Sequence, residues 1–396
     1  MSRPRTAAAR LAEIRQSFWL IPAIFATGAV GLAIGLSALE LRLGLPVESI
    51  LPSGPAGARS LLSSIITAMI SFTALVFSIT VVALQLASSQ YSPLVLRTFL
   101  QDRVIQFTLG TFVATFLFAM VVLAALPARG SERLPELSLA VAMSLVLAST
   151  AMFIYYLHHI TTVMRVSHII TAIGAQTRRT IEQHVPDREE PAEVTGEVVQ
   201  VVPAAAAGLV TSVDLALLAR LAREHDCAIT VVPAPGDFVV TEAPLLRCHR
   251  LPSGEPRPLP VERVAHSVTI DVERTPGQDV GFGLRQLADI ATRALSPASN
   301  DVTTAVRAVQ EAHELLRRLA TRPDPVGIVR DDDGTVRVLA KRPTYDIYLA
   351  MIIDELRNAA AGEPRINRLL DAVVADLDSV ALPAHRPAIR RRLPTR

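Results

Sequence analysis

Five polar residues recur at helical spacing inside one long apolar segment. They are Ser64, Thr67, Ser71, Ser78 and Gln85. Because seven residues make almost two helical turns, all five fall on one face of a helix. Hydroxyls and an amide can replace part of an ion's hydration shell without a buried charge, so this face could line a hydrated path. Small polar side chains also mediate close packing between membrane helices, which is their more ordinary role.

The next apolar segment carries a shorter polar face, formed by Thr108, Thr111 and Thr115. Two such faces predict close antiparallel packing, with hydroxyls bonded to carbonyls or across the helices. The alternative is that the faces open toward water, within one protomer or at the axis of an oligomer. The sequence has no acidic residue at the middle of a span, which argues against a proton relay or a carboxylate cation site.

The densest polar run outside the apolar segments is a candidate binding site. Its members are Arg285, Asp289, Arg293, Ser296, Asn300 and Asp301. The first three are spaced by four, so opposite charges alternate along one helix face. Ser296-Pro297 ends that helix, and Asn300 or Asp301 caps the next. A salt-bridged helical hairpin explains these residues structurally. An anionic ligand or nucleotide head group at the second helix's N-terminus would explain them functionally.

Two adjacent histidines, His158 and His159, end the fourth apolar segment. On a helix they point about 100° apart, so they cannot chelate one ion from one face. Histidine titrates near neutrality, so a pH-sensing role is the functional hypothesis for an otherwise interfacial pair. Cys227 and Cys248 form no metal-binding pattern, and the acidic run 331–333 lacks the spacing of a calcium loop. We therefore predict no metal site and no cofactor.

Four apolar stretches must position the polar stripes. They occupy 18–39, 61–88, 104–126 and 138–160, and each is close to or above the roughly 20 residues that cross a bilayer. The first is too long for the apolar core of a signal peptide, so we read it as a retained helix after a basic N-terminus at 1–17. These stretches predict an all-α bundle of four transmembrane helices in contact with the lipid bilayer.

The basic residues predict the orientation of the spans. They are concentrated in the N-terminal segment, the turn between the second and third spans, and the segment after the fourth span. The positive-inside rule then places both termini in the cytoplasm of a multi-pass inner-membrane protein. A single lysine, with abundant arginine, alanine, leucine and proline, is typical of a GC-rich bacterial genome. The net charge of +2 gives no global argument for nucleic-acid binding.

The remainder of the chain predicts a soluble cytoplasmic α+β domain. Residues 161–193 read as a helical stalk or surface-lying helix followed by a polar linker, and 194–396 as alternating short strands and amphipathic helices. Two strong helices are expected at 279–295 and 301–321. The sequence contains no Walker loop, no G-x-S-x-G and no H-E-x-x-H motif.

Four segments carry a resemblance to a known family. They are SFWLIPA at 17–23, the run 77–104, the PGDFV turn at 235–239 and the run 274–301. With them, nearly the whole chain resembles a family of bacterial predicted membrane proteins classed as a domain of unknown function. Ala298-Ser299 and Val302-Thr303 stand where the family pattern has Gly-Ile and Pro-Phe. The resemblance implies the architecture and brings no activity, cofactor or catalytic residue.

These features lead to two functional hypotheses. The preferred one is an oligomeric channel- or transporter-like protein with a cytoplasmic regulatory domain. The alternative is a membrane-anchored sensor or interaction module that binds an anionic ligand or a partner through the soluble domain. An enzyme is the least favoured class, because the sequence offers no nucleophile–base pair and no metal-binding set.

Overall fold

The computed structural model describes residues 19–43, 55–90, 102–126, 136–163, 165–188, 193–194, 196–252 and 256–394. The chain divides into two compact units, Met1–Arg165 and Val166–Arg396. The predicted fold class, a four-helix membrane part followed by an α+β domain, is confirmed. The predicted basic N-terminus at 1–17 and the turn at 91–101 lie outside the described residues.

The first unit contains four long apolar helices. They are α1 (Leu20–Leu43), α2 (Pro55–Gln90), α3 (Arg103–Ala125) and α4 (Glu136–Val163). Each contains a stretch long and apolar enough to cross a membrane, and none of these stretches holds more than two charged residues. The protein is therefore a membrane protein. The second helix begins six residues before the predicted span, at Pro55, since proline is well suited to the first turn of a helix.

Helix α3 is the centre of the first unit. Half of the residues in its most apolar stretch are buried, whereas about a fifth are buried in the corresponding stretches of the other three helices. Gly110 lets Phe25 of α1 lie against its backbone, since an added Cβ would stand 3.1 Å from the ring. On another side, Phe112 joins Phe72 of α2 and Phe153 of α4 in an aromatic cluster with ring centroids 5.0 to 6.5 Å apart. The interior between the helices is thus mainly apolar.

The described residues of the second unit form eight strands in two sheets. They are β1 (Val198–Pro203), β2 (Gly208–Val213), β3 (Cys227–Val231), β4 (Phe238–Val239), β5 (Pro244–Arg250), β6 (Val268–Asp271), β7 (Gly327–Arg330) and β8 (Val336–Ala340). The larger sheet has the order β1-β5-β3-β8-β7 and the smaller one the order β4-β2-β6. Among the strand pairs in the described residues, only β3–β8 is parallel.

Helices pack beside the sheets. They are α5 (Val166–His184), α6 (Leu215–Glu224), α7 (Val261–Ala265), α8 (Val280–Ala294), α9 (Val302–Ala320), α10 (Tyr345–Leu349), α11 (Glu355–Ala359), α12 (Pro364–Val380) and α13 (Arg386–Arg390). A π-helical turn, Ala350–Asp354, joins α10 to α11. The two strong helices expected from the sequence are α8 and α9, each within a residue of its predicted bounds. The short helices α7 and α13 carry too little periodicity to be predicted.

Helix α5 lies in the segment expected to form a stalk, and it packs against α8 and α9 as part of the second unit. Two glycines allow the close approach. A Cβ on Gly174 would collide with the Glu311 carboxylate of α9, and one on Gly283 of α8 would collide with Thr177. Glu311 is buried and pairs with Arg178 at 2.6 Å. The amphipathic face of α5 therefore covers the core of the second unit.

We expect Gly174→Ala to destabilise the second unit, because its Cβ would displace a buried, paired carboxylate. Overpacking of this kind typically costs about 1–3 kcal/mol. For a unit of this size that corresponds to a fall in Tm of roughly 2–4 °C per kcal/mol, measured on the full-length protein in detergent. Gly277→Ala is the matched control, since no atom lies within 4 Å of its added Cβ. Equal Tm values for the two variants would contradict this account of the packing.

Candidate functional site

The polar face of α2 lies on the outer surface of the four-helix unit. All five of its members, Ser64, Thr67, Ser71, Ser78 and Gln85, are exposed. The hydroxyls of the first three donate to backbone carbonyls four residues earlier, at 2.9 to 3.0 Å. Among the residues that the structure describes, the Ser78 hydroxyl and the Gln85 amide have no hydrogen-bond partner. This face therefore has no contact with another helix of its own protomer that would satisfy it.

The polar face of α3 points in a different direction. Thr108 and Thr115 are buried and Thr111 is half-buried. The Thr115 hydroxyl lies 2.9 Å from that of Ser149 on α4, so this face packs on α4. The expected pairing of the two stripes was wrong. The surface of α2 that contacts α3 is the apolar one, with Phe72 in the aromatic cluster.

Helix α4 is also hydrogen-bonded to α2. The Thr80 hydroxyl lies 2.9 Å from that of Tyr156, which also donates to the Val76 carbonyl at 3.2 Å. Tyr156 is fully buried, so its hydroxyl needs such partners. Thr80 falls off the seven-residue stripe, and for that reason spacing alone did not single it out.

Polar contacts join α4 to neighbouring helices at both of its ends. At one end Glu40 accepts from the Leu137 and Ser138 amides and from the Ser138 hydroxyl, at 2.6 to 3.0 Å. At the other end Asp102 caps α3 and lies 2.6 Å from Nε2 of His159. The rise of α4 between these contacts is roughly 33 Å at 1.5 Å per residue, close to a hydrocarbon core of about 30 Å.

The histidine pair is split by this arrangement. His159 contacts Asp102 and stacks on Tyr155 with ring centroids 6.2 Å apart, whereas His158 is exposed. Asp102 could not be recognised from the sequence as the partner of His159, because it lies 57 residues away in the chain. A pH-sensing role stays a prediction for both histidines, and Asp102 is the group that would respond to a charge on His159.

The predicted cluster of the soluble domain does not assemble around one point. Arg285 binds both carboxylate oxygens of Glu355, one of them at 2.7 Å, and lies 3.7 Å from Asp289. The bond to Glu355 raises the pKa of Arg285, and burial raises that of the Asp289 carboxyl against the opposing effect of Arg285. This cation therefore already has carboxylate partners within the fold.

The turn between α8 and α9 is satisfied by its own side chains. The Ser296 hydroxyl donates to the Arg293 carbonyl at 2.7 Å, and Asn300 takes a left-handed conformation with φ of 43°. Of the two predicted caps, Asp301 is the one used: it accepts from the Thr304 amide and hydroxyl at 3.0 and 2.6 Å. The Thr304 hydroxyl lowers the pKa of Asp301. Anion binding at this turn stays a prediction.

A buried ion pair that the sequence analysis missed lies at the start of α8. Asp279 caps the helix through the Phe282 amide at 3.0 Å, and Arg274 donates to its other oxygen at 2.6 and 2.8 Å. Burial raises the pKa of Asp279, while Arg274 opposes that shift. Gly236 lies against this pair with φ of 95°, where any side chain would collide with it. The PGDFV turn and the run 274–301 thus meet here.

Tyr348 lies beside the Arg274–Asp279 pair. Its side chain is buried, and burial raises its pKa. It lines a cavity of about 10 Å³ together with Gln278 and Arg342, which is room for about one water. No group of three or more metal-ligating side chains was found in the described part of the chain. The cavity can hold an ordered water and is too small for a substrate.

The two capping aspartates offer a matched comparison. Asp279→Ala and Asp301→Ala each remove an N-cap, which typically costs about 0.5–2 kcal/mol. Only the first also leaves a partly buried guanidinium, Arg274, without its carboxylate, and we expect a further loss of roughly 1.5–3 kcal/mol. The Tm of the full-length protein checks this. A loss in Asp279→Ala no greater than in Asp301→Ala would show that the buried pair adds nothing.

Comparison with known proteins is consistent with this architecture. The family described as "Predicted membrane protein (DUF2254)" matches residues 15–376. Uncharacterized proteins of Mycobacterium bovis and Mycobacterium tuberculosis strain H37Rv are each 30% identical over 393 residues, which is 96% of this chain and 75% of theirs. A third, from Mycobacterium tuberculosis strain CDC 1551, is 29% identical over the same length. No solved structure matches the chain. The chain belongs to the DUF2254 family of predicted membrane proteins.

Proposed function

We propose that the protein is an oligomeric, channel- or transporter-like membrane protein in which the α2 polar faces of neighbouring protomers line a shared hydrated path. The observation that carries this proposal is the exposure of that face. Among the described helices, the interior of one protomer is filled by apolar side chains such as Phe112 and Phe118. A path through a single protomer is therefore poorly supported, and a path between protomers is favoured.

The energetics of the bilayer favour a polar environment for this face. A hydroxyl or amide without a hydrogen bond costs several kcal/mol in hydrocarbon, where no water is available. The Ser78 hydroxyl and the Gln85 amide have no partner among the described residues of their own protomer, so contact with another protomer or with water would stabilise them. Hydroxyls and amides can also take the place of ion hydration, which fits a path for small polar species.

The α+β unit would influence the hydrated path through the covalent connection between α4 and α5. The last span ends at Val163 and α5 begins at Val166. Helix α5 is fixed to its own unit by the Arg178–Glu311 pair and by Arg322, which donates to the Ile181 and Val185 carbonyls at 3.2 and 2.9 Å. The proposed route of regulation is this connection along the chain, by which a change in the packing of α8 and α9 would act on the spans.

The second candidate is a membrane-anchored sensor or interaction module whose spans only associate. One observation favours it: the Ser64, Thr67 and Ser71 hydroxyls are bonded to their own helix. A face satisfied in this way can pack against a copy of itself without water. Both candidates require association through α2, and they differ in whether the joined faces enclose water.

Association through α2 predicts disulfide cross-linking between copies. Ser71→Cys should form a covalent dimer in native membranes, because equivalent faces meet. Ser144→Cys on α4 is the matched control, since Ser144 is also exposed and also bonded to its own helix, at 2.9 Å from the Ala140 carbonyl. The native cysteines, Cys227 and Cys248, are buried and give little background. Equal cross-linking at both positions, or none at Ser71, would contradict the interface.

If the α2 faces line a path for ions or solutes, a larger apolar side chain on this face should reduce the flux. Ser71→Leu should lower ion or solute flux into proteoliposomes severalfold without lowering the Tm, because it replaces a hydroxyl by a larger apolar group. Ser144→Leu makes the same replacement on α4 and should leave flux unchanged. If Ser71→Cys cross-links through α2 but the wild-type protein carries no flux at any pH or voltage, the sensor candidate is favoured instead.

A further inference from the structure

A groove on the surface of the first unit separates α1 from α2. Both helices pack on α3 but on different sides of it: Phe25 of α1 lies against Gly110, and Phe72 of α2 lies 6.0 Å from Phe112. Between these two contacts Leu109, Val113 and Phe116 of α3 form the floor of the groove.

The groove has a volume of about 470 Å³ and its lining is almost wholly apolar. One wall carries a polar group, the Thr73 hydroxyl, which donates to the Met69 carbonyl of its own helix at 2.7 Å. Apolar cavities stay dry, because a water inside them finds too few hydrogen-bond partners. The groove is therefore suited to hydrocarbon and unsuited to water or to a polar solute.

The groove is continuous with the surface of the spans that faces lipid. Phe77 in its wall is 55% exposed, and Trp19 at its end is 68% exposed. Trp19 immediately precedes α1, and tryptophan side chains concentrate at the level of the lipid head groups. A chain that enters from the surrounding bilayer would thus have its polar end near Trp19 and its hydrocarbon between α1 and α2.

The size of the groove favours a single hydrocarbon chain over a second copy of the protein. A helix with side chains is about 10 Å across and rises 5.4 Å per turn, so the groove would take only about one turn of a neighbouring helix. A hydrocarbon chain is thinner and can lie along the length of the groove. We propose that this groove is a binding site for one acyl chain of a membrane phospholipid.

The test uses the full-length protein in vesicles of phosphatidylethanolamine and phosphatidylglycerol that carry a photoactivatable group on one acyl chain. After illumination, mass spectrometry locates the lipid adducts. We expect them to concentrate on the groove, at Phe77 and Phe116, severalfold above Leu147, a lipid-exposed residue of α4. An even distribution over exposed apolar residues would show ordinary boundary lipid and would overturn the proposal.

Two variants fill the groove from different sides. Ala74→Leu adds volume to the α2 wall and Val113→Phe adds it to the floor, and both should lower the groove adducts severalfold with an unchanged Tm. Ala151→Leu, on the exposed surface of α4, is the matched control and should leave them unchanged. Unchanged labelling in both groove variants would overturn the proposal. A disulfide dimer of Val113→Cys would also overturn it, because a second copy would then occupy the groove.

Discussion

Hydrocarbon supplies no hydrogen-bond partner, and this constraint explains where the polar side chains of the membrane unit lie. Tyr156 and Thr115 reach partners on neighbouring helices, and most surface hydroxyls bond back to their own helix. Charged side chains lie where the spans end, with Glu40 at one end of α4 and the Asp102–His159 pair at the other. The Ser78 hydroxyl and the Gln85 amide, on the exposed face of α2, are exceptions on which the functional proposal depends. The Ser37 hydroxyl of α1 is another exception, because it is buried and has no hydrogen-bond partner among the described residues.

In the soluble unit, too, the surroundings of a polar side chain decide its contribution to stability. Asp279 and Asp301 both cap helices, yet their surroundings move their pKa values in opposite directions. Burial raises that of Asp279, whereas the Thr304 hydroxyl lowers that of Asp301. For Asp301 the resulting stabilisation is present at neutral pH and is lost as the pH falls through its lowered pKa. For Asp279 the effect of pH on stability has the opposite sign, because the raised pKa means that the fold disfavours its ionised form. The Arg274 guanidinium reduces this destabilisation. Identical sequence signals thus have different energetic consequences.

Much of the architecture could be predicted because it depends on local patterns. Hydropathy located the four spans to within a few residues, except at the start of α2. Periodicity located α8 and α9. Residue type restricted the cap of α9 to Asn300 or Asp301, and the structure shows that Asp301 is the cap. Contacts between residues that are distant in the sequence could not be predicted. The spacing of polar residues shows which face of a helix is polar, but it does not show which element packs against that face. The Thr108–Thr115 face was matched to the wrong helix for this reason, and the partners Asp102 of His159 and Glu355 of Arg285 went unnoticed.

The parallel pairing of β3 with β8 has a consequence for how the protein is made. Strand β3 is at 227–231 and its neighbour β8 at 336–340, so about a hundred residues separate two strands that share hydrogen bonds. Synthesis from the N-terminus delivers the four spans first, and the larger sheet cannot close until nearly the whole chain has emerged. Such non-local pairing is slow to form, because bringing the two strands together restricts the long segment between them and so costs conformational entropy. Membrane insertion therefore precedes completion of the soluble sheet, and each newly made copy passes through a stage in which its spans are in the bilayer and its sheet is still open.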